Sequence, residues 1–478
     1  MQQYRYEIFT SVIEKQIKSG ILKYGDRLPS VREMKEKYGL SRTSVQSGYE
    51  YLIMKGWVHS SPRSGYFVAY RNDRMLPSDQ RTAIVKDPVF TENMILTSAR
   101  NKPSAFSSFN NTAPGDPLIP QKLILKTMQQ VIRKKGASLL RYYPVAGSEE
   151  LRHLIAERMT GYGTPMSRDE LIITDGALQS LFIALHAVVK EGDCIAVESP
   201  CVFSVLEVIT SLKCKVIEIP VHFSRGFDLE SFRKLCEVHY IRCLVVTANF
   251  HNPTGTLMSD EVKEALADLA GDLRIPVIEN DIYGDIFFSD TRPRCIKSFD
   301  KKGFVMTVSS FSKTLSPGIR LGWLNTGRFY AKVEMSRFSL GRTVAPIYQE
   351  LMIELLKKNS YDRHLRSFRK NIHQQSVLII NALRSAFPQS SCFHQPEGGY
   401  SIWAEMPENL DMDRFYNYCE EHRILFTPGA TFSLTRNYQK CFRIVFAEYM
   451  TPESINLIEK AGRKAVELLT EHFNRKQI

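Results

Sequence analysis

The chain is expected to fold as two units: a small three-helix unit closed by a β-hairpin over residues 1–70, and a large α/β domain over residues 106–478. Three observations carry this expectation. At 478 residues the chain exceeds what one hydrophobic core usually serves. Its first 70 residues show helical apolar spacing broken by glycines, then two short β-like runs. From Phe106 onward, strand-like and helix-like segments alternate to the end of the chain, as in layered α/β domains.

Hydrophobic residues make up 43% and charged residues 24%, the mix of an ordinary globular protein. The formal net charge is +12, and its distribution matters more than its size. Residues 1–70 hold 11 Lys/Arg against 6 Asp/Glu, whereas the other 408 hold 52 against 45. The basic excess is several-fold denser in the small unit, where contact with an acidic polymer such as nucleic acid would profit from it. The nine cysteines form no Cys-x-x-Cys pair and sit mostly among apolar neighbours, which reads as free thiols in a reducing cytosol, without disulfides or a metal site. The opening Met-Gln-Gln-Tyr-Arg-Tyr-Glu lacks an apolar signal core, and no apolar run is long enough to span a bilayer. A cytoplasmic protein without a membrane partner is expected.

Within the small unit, Ile8, Val12, Ile13 and Ile17 recur at helical spacing, and Gly20 can close that helix. Ser30 and Glu33 form a capping-box pattern that starts a second helix ending at Gly39. Ser41 caps a third, in which Val45, Tyr49 and Leu52 point inward. The opposite face offers Arg42, Thr43 and Gln46, one turn of hydrogen-bonding groups at the helix start, where a recognition helix reaches base edges in the major groove. Two short strands follow, Trp57 to Ser60 and Tyr66 to Val68, joined by Ser61-Pro62-Arg63-Ser64-Gly65. Two helices across a tight turn also occur in many proteins that never touch DNA.

The literal strings decide more. Gly-Asp-Arg-Leu-Pro-Ser-Val-Arg-Glu (25–33), Leu-Ser-Arg-Thr-Ser-Val (40–45) and Ser-Gly-Tyr-Phe-Val (64–68) closely resemble the GntR-type winged helix-turn-helix across residues 4–70. That resemblance implies a double-stranded DNA operator as partner, with Arg32, Ser41, Arg42, Thr43 and Gln46 facing it. It also places the wing near Gly65 in the minor groove. The wing of such domains reads Pro-Gly-Ser-Gly, and Arg63 replaces its first glycine here.

Residues 71–105 carry polar residues and the prolines Pro77, Pro88 and Pro103 without strong periodicity. A semi-flexible linker with a short helix near Thr91 to Ala99 is expected. In the large domain, three strand-like runs end in polar clusters: Arg242–Phe250 before His-Asn-Pro-Thr-Gly (251–255), Ile275–Glu279 before Asn-Asp-Ile-Tyr-Gly (280–284), and Phe304–Val308 before Ser-Ser-Phe-Ser-Lys (309–313). Ligands of open α/β sheets sit beyond the carboxyl ends of strands, so these three termini suggest one site. Alone, an Asp after a strand is usually a helix cap and a Lys a solvated charge. His251, His186 and His153 are read as structural.

Together the clusters supply what a pyridoxal cofactor requires. A lysine must form the imine, a carboxylate must pair with the pyridine nitrogen, donors must meet the ring hydroxyl, and the phosphate needs helix-start amides, hydroxyls and an arginine. Ser-Ser-Phe-Ser-Lys-Thr-Leu-Ser-Pro-Gly-Ile-Arg-Leu-Gly-Trp (309–323) resembles the lysine motif of class I aminotransferases. The resemblance covers roughly residues 106–470 and implies fold type I, with a large, mostly parallel sheet and a smaller C-terminal subdomain. It implies pyridoxal 5'-phosphate as cofactor and Lys313 as the Schiff-base lysine. Ser310, Ser312 and Arg320 would meet the phosphate, Asn252 and Tyr283 the ring hydroxyl, and Asp281 the pyridine nitrogen, so that Lys313, Asp281 and Tyr283 form the catalytic set. Ala177 and Leu178, in Thr-Asp-Gly-Ala-Leu-Gln (174–179), would donate amides to the phosphate. Arg443 would hold a substrate carboxylate, and Tyr142 would reach the phosphate of a neighbouring subunit in a homodimer. Val202 stands where a ring-stacking aromatic is expected, with Phe203 one later.

With both halves combined, the chain resembles the MocR-like subfamily of GntR regulators. The expected function is a transcription regulator that senses the cofactor, an amino acid, or both. An active amino-acid aminotransferase carrying a DNA-binding module, and a vestigial domain binding the cofactor only as effector, stay open on the sequence.

Overall fold

The computed structural model describes residues 7–23, 25–54, 57–61, 65–68, 89–90, 109–222, 226–341, 343–435, 437–448 and 450–475. The small unit comprises α1 (Glu7–Lys18), α2 (Val31–Tyr38) and α3 (Arg42–Met54), then β1 (Val58–Ser61) and β2 (Gly65–Val68). The capping box forms as expected: Ser30 Oγ accepts from Glu33 N–H at 3.3 Å, and Glu33 Oε2 accepts from Ser30 N–H at 2.6 Å. Gly39 ends α2 in the left-handed region, at φ 62°. Ser41 Oγ accepts from Ser44 N–H at 3.0 Å and so caps α3.

Val45, Tyr49 and Leu52 are buried as anticipated, against Phe9, Ile13, Met34 and Trp57. The apolar face of α1 differs from the expected one. Ile8 is 56% and Val12 39% exposed, whereas Phe9 is fully buried. The Phe9 ring lies 5.7 Å from that of Tyr49 and 6.0 Å from that of Tyr38, so the largest side chain takes the inner position and turns Ile8 and Val12 outward. β1 and β2 pair antiparallel from Val58↔Val68 to Ser61↔Gly65. The Tyr66 ring stacks on Tyr49 at 3.9 Å, fixing the hairpin to α3. The tip of the hairpin, with Arg63, lies outside the described residues, as does the helix expected near Thr91 to Ala99.

Within 71–105 the structure describes β3 (Val89–Phe90), which pairs antiparallel with the edge of the large sheet. The large domain continues with α4 (Gln121–Lys135), α5 (Glu149–Gly161), β4 (Leu171–Thr174), α6 (Ala177–Val188), β5 (Cys194–Ser199), α7 (Phe203–Ser211), β6 (Lys215–His222) and β7 (Gly226–Phe227). Then come α8 (Leu229–Val238), β8 (Ile241–Val246), α9 (Asp260–Leu273), β9 (Val277–Asn280), β10 (Val305–Ser310), β11 (Gly322–Asn325), α10 (Tyr330–Ser339) and α11 (Pro346–Lys357). The strand order is β3-β6-β5-β8-β9-β10-β11-β4, with β7 paired to β6. β6, β5, β8, β9 and β10 run parallel, and β11 is antiparallel to both of its neighbours. β4 therefore points the same way as the parallel strands. Helices cover the sheet, and its strands are buried from end to end: β4, β5, β9, β10 and β11 expose no residue.

The smaller subdomain is built on the long helix α12 (Ser360–Ala386), β12 (Cys392–Phe393), β13 (Ser401–Glu405), α13 (Met412–Glu421), β14 (Thr427–Pro428), β15 (Cys441–Val445) and α14 (Pro452–Arg475). Its antiparallel sheet, ordered β12-β13-β15-β14, packs with α12 and α14 around Phe387, Phe415, Phe442 and Ile458. Among the described residues, no helix is long and apolar enough to cross a membrane.

Candidate functional site

Because β4, β5, β8, β9 and β10 point the same way, their carboxyl ends deliver polar residues to one edge of the sheet. β10 delivers Ser310 and, three residues on, Lys313. Lys313 Nζ donates to Thr112 O at 2.8 Å and approaches Thr112 Oγ1 at 3.3 Å. The Tyr400 hydroxyl donates to the Lys313 carbonyl. Burial, and then the charges of Arg443 and Arg320, push the Lys313 ammonium down to about 8.

β8 leads to Asn252, whose Nδ2 donates to the Tyr283 hydroxyl at 3.2 Å. Its Oδ1 accepts from Arg443 Nη1 at 2.9 Å. Arg443, on β15, also donates to Asn110 O at 3.0 Å and Thr427 Oγ1 at 3.1 Å. Its buried Nε has no partner among the described residues. Burial pushes Arg443 down to about 10, and these three partners are uncharged, so an anion would be welcome there. Beyond β9, Asp281 accepts from Asn249 Nδ2 at 2.8 Å and from Arg292 Nη2.

β4 turns through Gly176, at φ 102°, into α6, whose first residues are Ala177 and Leu178. A Cβ on Gly176 would sit 2.8 Å from Arg320 Nη2, so glycine is needed for that guanidinium to lie over the helix start. Arg320 donates to Asp175 O at 3.0 Å. Ser310 Oγ and Ser312 Oγ stand 2.9 Å apart. Two hydroxyls, an arginine and a helix amino end form an anion-binding corner. Anion corner, near-neutral lysine, buried carboxylate, amide–phenol pair and an arginine with an unused donor fit a phosphorylated pyridine aldehyde and a carboxylate ligand.

Thus Lys313, Asn252, Tyr283, Asp281, Ser310, Ser312, Arg320, Ala177, Leu178 and Arg443 converge on one edge of the fold. Tyr142 does not join them directly; it precedes α5 and is 78% exposed. Phe203 turns onto Phe432, ring centroids 6.2 Å apart, which leaves Val202 at the position two beyond Pro200. His251 is buried between Glu198, 3.3 Å from Nε2, and Thr254, 2.7 Å from Nδ1. Burial pushes it down to about 3, so it stays neutral. Sequence reasoning missed Asn110, Thr112, Asn249, Arg292, Tyr400 and Thr427. Tyr400 lies in Pro-Glu-Gly-Gly-Tyr-Ser-Ile-Trp (396–403) and Thr427 opens Thr-Pro-Gly-Ala-Thr-Phe-Ser (427–433), two strings that fit the same family resemblance.

On the small unit, Ser41, Arg42, Thr43 and Gln46 are exposed on the side of α3 away from Val45, Tyr49 and Leu52. Arg32, on α2, is exposed too, with Nε 3.3 Å from Glu36. Gly65 opens β2 at φ 112°, and a Cβ there would lie 3.7 Å from Arg27 Nε.

Residues 107–460 match the family described as aminotransferase class I and II, and residues 9–68 match the gntR family of bacterial regulatory proteins. The chain belongs to these families: it is a MocR-like member of the GntR regulators, with a fold type I domain whose cofactor is pyridoxal phosphate. Among its relatives is the uncharacterized HTH-type transcriptional regulator YjiR of Escherichia coli (strain K12), 31% identical over 97% of this chain and 100% of the relative. The HTH-type transcriptional regulator NorG of Staphylococcus aureus (strain bovine RF122 / ET3-1) is 26% identical over 88% and 95%. The multiple substrate aminotransferase of Thermococcus profundus shares the fold, with TM-score 0.70 and 23% identity over 77% of this chain and 92% of that one.

Proposed function

We infer that the protein is a DNA-binding transcription regulator whose large domain binds pyridoxal phosphate, and an amino acid beside it, and thereby alters how the paired small units hold an operator. The observation that carries this reading is the joining, in one chain, of a complete convergent cofactor set to a helix that leaves Arg42, Thr43 and Gln46 exposed. The cofactor supplies an aldehyde that captures amines and a ring that accepts electrons from the captured amine's α-carbon.

The residues divide the remaining work. Lys313 Nζ, pushed down to about 8 by burial and the nearby arginines, carries the cofactor. Ser310, Ser312, Arg320 and the amides of Ala177 and Leu178 hold its phosphate. Asp281 holds a proton on the ring nitrogen, and Asn252 with Tyr283 meets the ring hydroxyl. Arg443, through its unpaired Nε and its charge, holds the ligand carboxylate. Ser41, Arg42, Thr43 and Gln46 face the major groove, Arg32 the backbone, and the wing at Gly65 the minor groove. The units run over 1–70 and 106–478 with 71–105 between them. The working form is a cytoplasmic homodimer in which Tyr142 reaches the partner's phosphate.

Titration of the full-length protein on its own promoter fragment tests the reading by fluorescence anisotropy. Pyridoxal phosphate, and then one amino acid of a panel, should change operator affinity. Operator binding indifferent to both, combined with sustained transamination of a keto acid, would favour a working aminotransferase instead.

A further inference from the structure

The carboxylate of Asp281 is already engaged on both oxygens. Oδ1 accepts from Asn249 Nδ2 at 2.8 Å, and Oδ2 from the guanidinium of Arg292. Neither partner belongs to the motifs that place the lysine or the phosphate. Arg292 lies on the connection between β9 and β10, and only 2% of its side chain is exposed. Its Nε donates to Asp285 Oδ1 at 2.8 Å, so one buried cation bridges two carboxylates. Asp285 Oδ2 in turn accepts from Arg158 Nη2 at 3.2 Å, and Arg158 pairs with Asp362 at the start of α12. On the other side, Lys263 Nζ donates to Asn249 Oδ1 at 2.9 Å. The remaining charged or titratable groups felt by Asp281 are Glu279 and Cys295.

The backbone accommodates this pairing. A Cβ on Gly284 would collide with both Asp281 Oδ1 and Arg292 Nη2, although Gly284 does not adopt a positive φ. Glycine there serves close approach, letting the chain pass beside the ion pair. A cation this near a carboxylate, in a site closed to solvent, competes with any other positive partner the carboxylate takes.

We propose that Arg292 is a positioning and tuning residue for the cofactor site: it holds Asp281 in place and, by sharing its charge, weakens the grip of Asp281 on the proton of the cofactor's ring nitrogen. Asp285 moderates this effect, because it takes up part of the charge of Arg292. The domain is thereby set to hold the cofactor while restraining the electron-withdrawing power of the ring, which suits a sensor. This rests on pyridoxal phosphate occupying the site described above.

The test is nitrogen NMR of full-length protein loaded with pyridoxal phosphate isotope-labelled at the ring nitrogen, over a pH series. Wild type, Arg292→Gln and Asp285→Asn are compared, with circular dichroism as the check on folding. Removing the cation in Arg292→Gln should favour the protonated ring by roughly tenfold or more, the usual reach of one close charge. Asp285→Asn leaves the whole charge of Arg292 to Asp281 and should move the equilibrium the opposite way. Shifts of opposite sign are not expected from mere loosening of the fold. Equal protonation in all three proteins, or shifts of the same sign, overturns the proposal. Should Arg292→Gln fail to fold, Asp285→Asn decides alone, and no shift or a shift toward protonation overturns it. Wild-type protein that takes up no cofactor would instead overturn the assignment of the site.

Discussion

Lys313 offers a prediction whose size follows from its surroundings. Its ammonium is pushed from 10.5 to about 8, first by burial and then by Arg443 and Arg320. At pH 7 the neutral fraction therefore rises by roughly two to three orders of magnitude over an exposed lysine. Only the neutral amine attacks an aldehyde. Covalent capture of pyridoxal phosphate by cofactor-free protein should climb about tenfold per pH unit below 8, then level off. Borohydride quenching at timed intervals, with mapping of the peptide that holds Lys313, gives the rate at each pH. Arg443→Gln removes a repelling charge, so the bend should move to higher pH and capture at pH 7 should slow. The same shift acts on stability with a definite sign. A buried lysine whose value falls on folding costs stability below about pH 8, and the cost is relieved as pH rises from there toward 10.5. Cofactor-free protein should accordingly gain stability across that window. A capture rate that rises without a bend to pH 10, or label on another lysine, would refute the reasoning.

Three further outcomes are expected. Arg42→Ala should weaken operator binding by roughly tenfold or more, the cost of a lost bidentate base contact, while the absorbance of bound cofactor stays as in wild type. Undiminished operator binding would assign groove reading to another element. Ser30→Ala removes the side-chain half of the capping box, while the backbone N–H of residue 30 still donates to Glu33, and should cost the small unit about 1 kcal/mol, seen by calorimetry as an earlier first transition. Sedimentation of the full chain should find a dimer, and Tyr142→Ala should loosen cofactor binding without dissociating it. A monomer that holds the cofactor tightly would show that Tyr142 is not shared.

Much of this fold was legible because local chemistry and tertiary packing agree. Ser30, Glu33 and Gly39 mark the ends of α2 through bonds made within a few residues, so their pattern survives in the folded chain. The inward set Val45, Tyr49 and Leu52 follows helical period for the same reason. The face of α1 followed it only in part: Ile13 is buried and Ile17 packs against the core, but the equally periodic Ile8 and Val12 are exposed. What decides is the Phe9 ring against Tyr38 and Tyr49, a contact between separate helices that periodicity does not encode. The strand at Val89–Phe90 was invisible for a related reason. It is two residues long, too short for alternation, and exists because Lys215 and Val216 offer an open sheet edge.

The site divides along the same line. Residues carried by continuous motifs, from Thr174 to Gln179 and from Ser309 to Trp323, could be placed by reading along the chain. Thr112, Asn249 and Arg292 could not, the first two because each acts through a partner far away in sequence. Thr112 meets Lys313 across 201 positions and Asn249 meets Asp281 across 32. Arg292 is closer, 11 positions from Asp281, yet it looks like one more charge on a surface connection. It is buried in the fold, where helices α5 and α12 bring Arg158 and Asp362 to the far side of Asp285. A charge that reads as solvated becomes the middle of a buried ladder only once three elements close around it. Motifs therefore identify the groups that touch the cofactor, whereas the groups that set the strength of those contacts emerge only from tertiary structure.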